Sequence, residues 1–199
     1  IGYALSFLSL FSSTPDNFDY YCFADQDDVW INDKIVSAIR MLEASGNRAS
    51  YVSALDYVNE NLEHIRVRDY TEKNLTLQGL YSRMRFAGCT MVFTRQVFCD
   101  CQELISKYSD NIHTSHDLFV LLTCLAFGGT INLDHTPHIK YRRSSLSVTA
   151  GTGSILKRLK HENERIKTDD SLNELSAIYL KSGKTVQTYS RYLTSCARY

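Results

Sequence analysis

Five apolar and aromatic residues, Tyr20-Tyr21-Cys22-Phe23-Ala24, run straight into an acidic turn, Asp25-Gln26-Asp27-Asp28, and a helical pattern begins at Asp33. A short apolar run stopped by charge and followed by a helix reads as a buried strand in a sheet covered on both faces. Asn32 is placed to cap a helix from Asp33 to about Ala44, in which Ile35, Ala38, Ile39 and Leu42 keep a helical period. Gly46 and Asn47 close that helix.

The pattern repeats along the chain. A first helix ends before Pro15, Tyr51 to Val58 reads as a second strand, and the polar stretch Asn59 to Asn74 as a loop or irregular edge. Gly88 to Thr94 suggests a further strand, followed by helices from about Gln96 to Tyr108 and from Ser115 to Phe127. Leu118, Leu121, Leu122 and Leu125 should line one side of the second of these. After Gly128-Gly129, Ile131 to Leu133 and Ile139 to Tyr141 are two short strand candidates. Strands alternating with helices favour an α/β sandwich for residues 1–150. Residues 151–199 read as a helical extension broken near Asp169 and Gly183.

Charge narrows the partners. The 199 residues carry 22 Lys plus Arg against 22 Asp plus Glu, a balance that lacks the electrostatic footprint of a nucleic-acid binder. Beneath that balance the body is acidic, with 13 basic against 17 acidic residues up to 150, and the tail is basic, with 9 against 5. The longest apolar run, Phe119 to Phe127, is far short of the roughly 20 residues a bilayer span needs. Six cysteines lack both a C-x-x-C pair and a regular framework, which points to reduced, mostly buried thiols and a cytoplasmic setting.

Six carboxylates, Asp16, Asp19, Asp25, Asp27, Asp28 and Asp33, fall in a segment without Lys or Arg, three of them where the first strand ends. In open α/β sheets ligands bind at such strand ends. Carboxylates this close resist ionising unless a cation or strong donors balance them, and oxygen ligands favour Mg²⁺ or Mn²⁺. A solvated acidic turn that merely leads into the next helix fits the spacing equally well.

The string Phe-Ala-Asp-Gln-Asp-Asp-Val-Trp, residues 23–30, followed by Asp33-Lys34-Ile35, resembles the signature of bacterial family 2 glycosyltransferases, in particular their rhamnosyltransferase-like branch. Gly88-Cys89-Thr90-Met91-Val92-Phe93, His116-Asp117, Phe127-Gly128-Gly129 and Tyr141-Arg142 resemble later landmarks of that family, in the same order. The resemblance implies a GT-A-like mixed sheet flanked by helices. It also implies metal-dependent inverting transfer of a sugar from a nucleotide-sugar donor, dTDP-rhamnose among the candidates, to a saccharide or lipid-linked acceptor in surface-polysaccharide synthesis. By the DxD pattern Asp25 and Asp27 would meet the donor and the Mg²⁺ or Mn²⁺ ion, Asp27 more directly, with Gln26, Asp28 and Arg142 on the donor side. Asp117 matches the position of the base that takes the acceptor proton; its neighbours Thr114 and Ser115 also allow a plain helix-start role. The chain departs from the family in two respects. Ser144 stands where a His is common after Tyr-Arg, and the expected N-terminal donor-base segment is absent, so the sequence reads as the acceptor-side part of a larger domain.

Asp25-Gln26-Asp27-Asp28-Val29 also satisfies D-x-D-x-V, the nucleophile loop of haloacid-dehalogenase-type phosphatases, with Asp25 attacking phosphorus and Asp27 as acid and base. A catalytically inactive binding module is a third possibility. His135 and His138 have H-x-x-H spacing but lack a third ligand, and Trp30 reads as a core plug. Lys157, Arg158, Lys160 and His161 would give a basic helix face suited to anionic lipid at the cytoplasmic side of the inner membrane.

Overall fold

The computed structural model describes residues 3–70, 80, 86–112, 114–143 and 171–181. The elements run α1 (Tyr3–Ser13), β1 (Tyr20–Cys22), β2 (Val29–Trp30), α2 (Lys34–Glu43), β3 (Ala49–Val58) and β4 (His64–Arg68). A 3₁₀ turn (Gly88–Thr90) then leads into β5 (Met91–Thr94), α3 (Arg95–Tyr108), a second 3₁₀ turn (Ser109–Asn111), α4 (His116–Ala126), β6 (Thr130–Arg142) and α5 (Ser171–Lys181). The strands form a mixed sheet in the order β1-β5-β3-β6-β2, with β4 also paired to β3.

β3 is the spine of this sheet. Its first half pairs antiparallel with β5 and its second half with β4 along one edge, while β6 runs parallel along the other. Nearly every residue of β3 is buried, as a strand covered on both faces requires. On one face Ala49, Tyr51 and Val92 pack against Ala38 and Leu42 of α2. On the other, Val52, Leu55 and Phe93 meet Val97, Phe98 and Leu104 of α3 and Leu118 to Leu122 of α4. The result is a mixed α/β sandwich whose helices close both sides of one sheet.

Several elements differ from the sequence expectation, each for a physical reason. β1 is a half-buried strand at the sheet edge, not an interior one, because it pairs through β5 alone. The N-cap of α2 is Asp33, not Asn32, and it makes no side-chain cap bond because its carboxylate is engaged by the His138 ring at 2.8 Å. The two short strands expected after Gly129 are one 13-residue strand, β6. Pro137, which has no N–H for a ladder, sits where the β3–β6 register slips, so the strand continues past it. β2 is only two residues long and owes its existence to pairing with Ile139 and Lys140. Gly88 to Thr90 is a 3₁₀ turn, and α4 is buried almost all round instead of along one leucine stripe.

A buried network ties the sheet to the helices. His138 lies between Asp33 on Nδ1 and Asp134 on Nε2, at 2.8 and 3.2 Å, and the Tyr51 hydroxyl donates to the same Asp134 oxygen at 2.9 Å. His135 is exposed, so the H-x-x-H pair does not converge. Arg48 forks onto Asp100 of α3 through Nε at 2.6 Å and Nη2 at 3.3 Å, and also donates to the Phe127 carbonyl at 3.1 Å. Gly129 makes this close approach possible: a Cβ there would stand 2.7 Å from the Arg48 carbonyl oxygen and 2.8 Å from that of Cys124.

α5 falls between the two expected breaks of the tail and adds Leu175, Ile178 and Tyr179 to the main core. The basic face at Lys157, Arg158, Lys160 and His161, and Ser144, lie outside the described residues. Among the described residues no helix is long and apolar enough to cross a membrane, and Cys22, Cys89, Cys99, Cys101 and Cys124 are free thiols.

Candidate functional site

Beyond the end of β1 the chain is anchored by Phe23, whose ring packs against Phe7, Phe11, Phe93 and His116 at centroid distances of 4.6–6.2 Å. The anchor leaves the following acidic loop only partly withdrawn from water. Asp25 and Asp28 are half-buried, while Gln26 and Asp27 are exposed. Arg142, at the end of β6, holds the loop from above: its backbone N–H donates to Asp28 Oδ1 at 3.2 Å, and its Nε to the Asp27 carbonyl at 3.1 Å. Its Nη1 donates to the Glu60 carbonyl at 3.2 Å, so the guanidinium clasps two turns together.

The 3₁₀ turn brings Cys89 under the loop. One ligand atom each from Asp25, Asp28 and Cys89 lies within 4.8 Å of the others, a convergence of the kind that holds a cation. Burial pushes the Asp28 carboxyl up to about 6, against the Cys89 thiol and the Arg142 N–H, which pull it down. Asp28 Oδ2 is buried and finds no donor in hydrogen-bond geometry. Asp25 is raised as well, first by burial and then by the charges of Asp27 and Asp117, while His116 and the Cys89 thiol oppose the rise. Burial, with Asp28 beside it, drives the Cys89 thiol upward, so it stands beside the carboxylates as a protonated donor.

A cation is already built into the floor of the site. Lys34, fully buried in the first turn of α2, donates from Nζ to the Cys89 carbonyl at 2.7 Å and lies 3.5 Å from the centre of the Trp30 ring. Burial lowers its ammonium to about 8, although Asp28 and Asp25 pull the other way. Trp30 therefore does more than fill the core: it shields the charge that underlies the acidic loop.

Asp117 enters from the start of α4. Its neighbour His116 is clamped between Phe7, stacked at 4.2 Å, and the edge of Phe23 at 4.6 Å. Gly88 allows α4 to come this close, since a Cβ there would stand 2.6 Å from His116 Nε2 and 3.5 Å from Asp117 Cβ. Asp117 is half-buried, with Oδ1 accepting the Leu118 N–H at 2.7 Å, and its charge is felt by Asp25.

The structure thus gathers Asp25, Asp27, Asp28, Asp117 and Arg142 at one rim of the sheet, with Asp27 and Gln26 on its solvent side. Sequence reasoning assigned no role to Lys34, Cys89 or His116, although all three lie within the motif segments. The available signal for the first was a lysine in the opening turn of α2, between Trp30-Ile31 and Ile35. Nothing local marks Cys89, which reaches the carboxylates only through the β1–β5 pairing.

No protein-family model matches the chain. It is similar to the dTDP-rhamnosyl transferase RfbG of Shigella flexneri, with 24% identity over 130 residues, 64% of this chain and 44% of that protein. The chain therefore spans less than half the length of this relative. The likeness suggests a glycosyltransferase-type relationship at that coarse level.

Proposed function

We propose that the chain carries the catalytic rim of a metal-dependent inverting glycosyltransferase that uses a nucleotide-sugar donor. The observation that carries this reading is the convergence of the Asp25 and Asp28 carboxylates, with a buried Asp28 Oδ2 that has no hydrogen-bond partner, at a place where the charge of Asp117 also acts on Asp25. Asp25 and Asp28, with Asp27 on the solvent side, would hold Mg²⁺ or Mn²⁺. A cation held there supplies Lewis-acid stabilisation of the charge that develops on the departing diphosphate. Arg142, already fixed by two backbone carbonyls, keeps the loop in place and presents its remaining guanidinium edge to donor oxygens.

Asp117 takes the proton of the acceptor hydroxyl. Its contribution comes from position: the Leu118 N–H on Oδ1 holds the carboxylate at the start of α4. The name of the relative makes dTDP-rhamnose the first donor to try, with a saccharide or lipid-linked acceptor. No observation favours the phosphatase reading: Asp25 follows an edge strand and is crowded by a second carboxylate and a thiol.

The test is Mn²⁺-dependent nucleotide binding and sugar transfer. Asp28→Asn should abolish Mn²⁺-dependent dTDP binding, and Asp117→Asn should lower transfer by about 10²–10⁴-fold while leaving that binding intact. Wild-type behaviour of Asp28→Asn would overturn the metal assignment, and wild-type transfer by Asp117→Asn the base assignment.

A further inference from the structure

The carboxylate rim has a neighbour of opposite charge. β4 lies along the second half of β3 on the side away from β6, so Tyr57 of β3 pairs with Arg66 across one edge and with Tyr141 across the other. The Arg66 guanidinium carbon is 4.8 Å from the centre of the Tyr57 ring, and that of Arg143 is 4.9 Å from the same ring. Arg68 donates from Nη1 to the Tyr57 hydroxyl at 3.3 Å and lies 5.0 Å from the Tyr70 ring centre. Three guanidinium groups therefore surround one buried phenol. Burial alone would push that phenol up, yet Arg68 and Arg143 outweigh it and hold it below the ordinary tyrosine value.

Like charges gathered this way repel, and their arrangement is informative. Each guanidinium is laid against an aromatic ring or bonded to a phenol, which fixes its plane and lowers the ordering cost of forming further bonds. Planar forks of this kind match the oxygens of phosphate, which can accept several N–H bonds at once. Arg66 is exposed and Arg68 and Arg143 are half-buried, so the group can be reached from solvent. Its place matters as much as its charge. Arg143 follows directly on Arg142, whose backbone N–H bonds Asp28, and the Arg143 N–H donates to the Val58 carbonyl at 2.8 Å. The cationic group and the carboxylates thus share one rim, on opposite sides of the end of β6.

We propose that Arg66, Arg68 and Arg143 form an anion site for a phosphate or diphosphate group on a substrate, distinct from the carboxylate site and next to it. Resting on the transferase reading, this makes the acceptor a phosphate-bearing, lipid-linked carrier, with the donor diphosphate as the other source of the same chemistry.

The test begins with inorganic pyrophosphate titrated calorimetrically into the full chain in EDTA, where no divalent cation can recruit it to the carboxylates. Wild type should bind, and the double variant Arg66→Gln/Arg143→Gln should bind at least 10-fold more weakly, while Lys107→Gln, which removes an exposed cation of α3 outside the group, binds as wild type does. Arg66→Gln alone, at an exposed position, should show a partial loss and guards against misfolding of the double variant. Equal affinity of wild type and Arg66→Gln, or no binding by wild type, would overturn the proposal. Geranyl diphosphate and dTDP then distinguish the sources. A loss confined to geranyl diphosphate supports the acceptor, and a loss confined to dTDP keeps the anion site but assigns it to the donor, overturning the acceptor half. Pyrophosphate binding without Mn²⁺-dependent dTDP binding would count against the transferase reading and leave the anion site standing.

Discussion

At the scale of single residues the candidate site depends on what is small as much as on what is charged. Gly88 lets the 3₁₀ turn that carries Cys89 pass against His116, and the ring cannot swing aside because Phe7 and Phe23 hold it on two sides. Gly88→Ala should therefore displace the start of α4 and lower stability by about 1–3 kcal/mol. Chemical denaturation measures the cost, and an unchanged midpoint would show that the ring has room to move. The acidic loop was legible in the sequence because its residue types announce chemistry, whereas Asp117 stood out only by its place in the resembled motif. Lys34 and Cys89 were not legible, since their roles arise from burial and from contacts 55 residues apart in the chain.

At the scale of elements the packing depends on a few polar clasps between segments distant in sequence. Arg48 precedes β3, Asp100 lies in α3, and Phe127 ends α4, so one guanidinium fastens three elements. Asp100→Ala would leave that guanidinium on the Phe127 carbonyl with its carboxylate gone, at a cost of about 1.5–3 kcal/mol. Urea unfolding of this variant, of Arg48→Met and of the double variant Arg48→Met/Asp100→Ala checks the coupling; strictly additive losses would mean the clasp contributes nothing of its own. Helices were the legible elements, because α2 and α3 carry a 3.6-residue pattern and α4 is an apolar run closed by Gly128-Gly129. β2 and the continuity of β6 were not legible. Two residues carry no period, and Pro137 argues locally for a break that the register slip opposite Ser53 and Ala54 removes.

At the scale of the whole molecule the balanced net charge leaves stability near neutrality to local groups. Asp28, raised to about 6 from 3.8, binds its proton more tightly in the folded chain, so its contribution is present at low pH and is lost as pH rises through about 6. Lys34, lowered to about 8 from 10.5, is easier to keep neutral when folded, so its contribution grows as pH rises from about 8 toward 10.5. Metal-free protein should therefore gain stability from this lysine above pH 8, and Lys34→Met should flatten that rise. Thermal melts of both proteins at pH 7 and 9 test it, and parallel responses would refute the lysine's part.

The parallel pairing of β3 with β6 joins segments about 80 residues apart, from Ala49 with Thr130 to Val58 with Arg142, and Arg142 closes over the acidic loop only when that pairing is made. Contacts so remote carry a loop-closure cost before they give anything back. The chemistry of the chain is thus delayed in time. During synthesis Asp25 and Asp28 leave the ribosome more than a hundred residues before the arginine that seats them, and pulse-labelled hydrogen exchange should find the β3–β6 amides among the last to be protected.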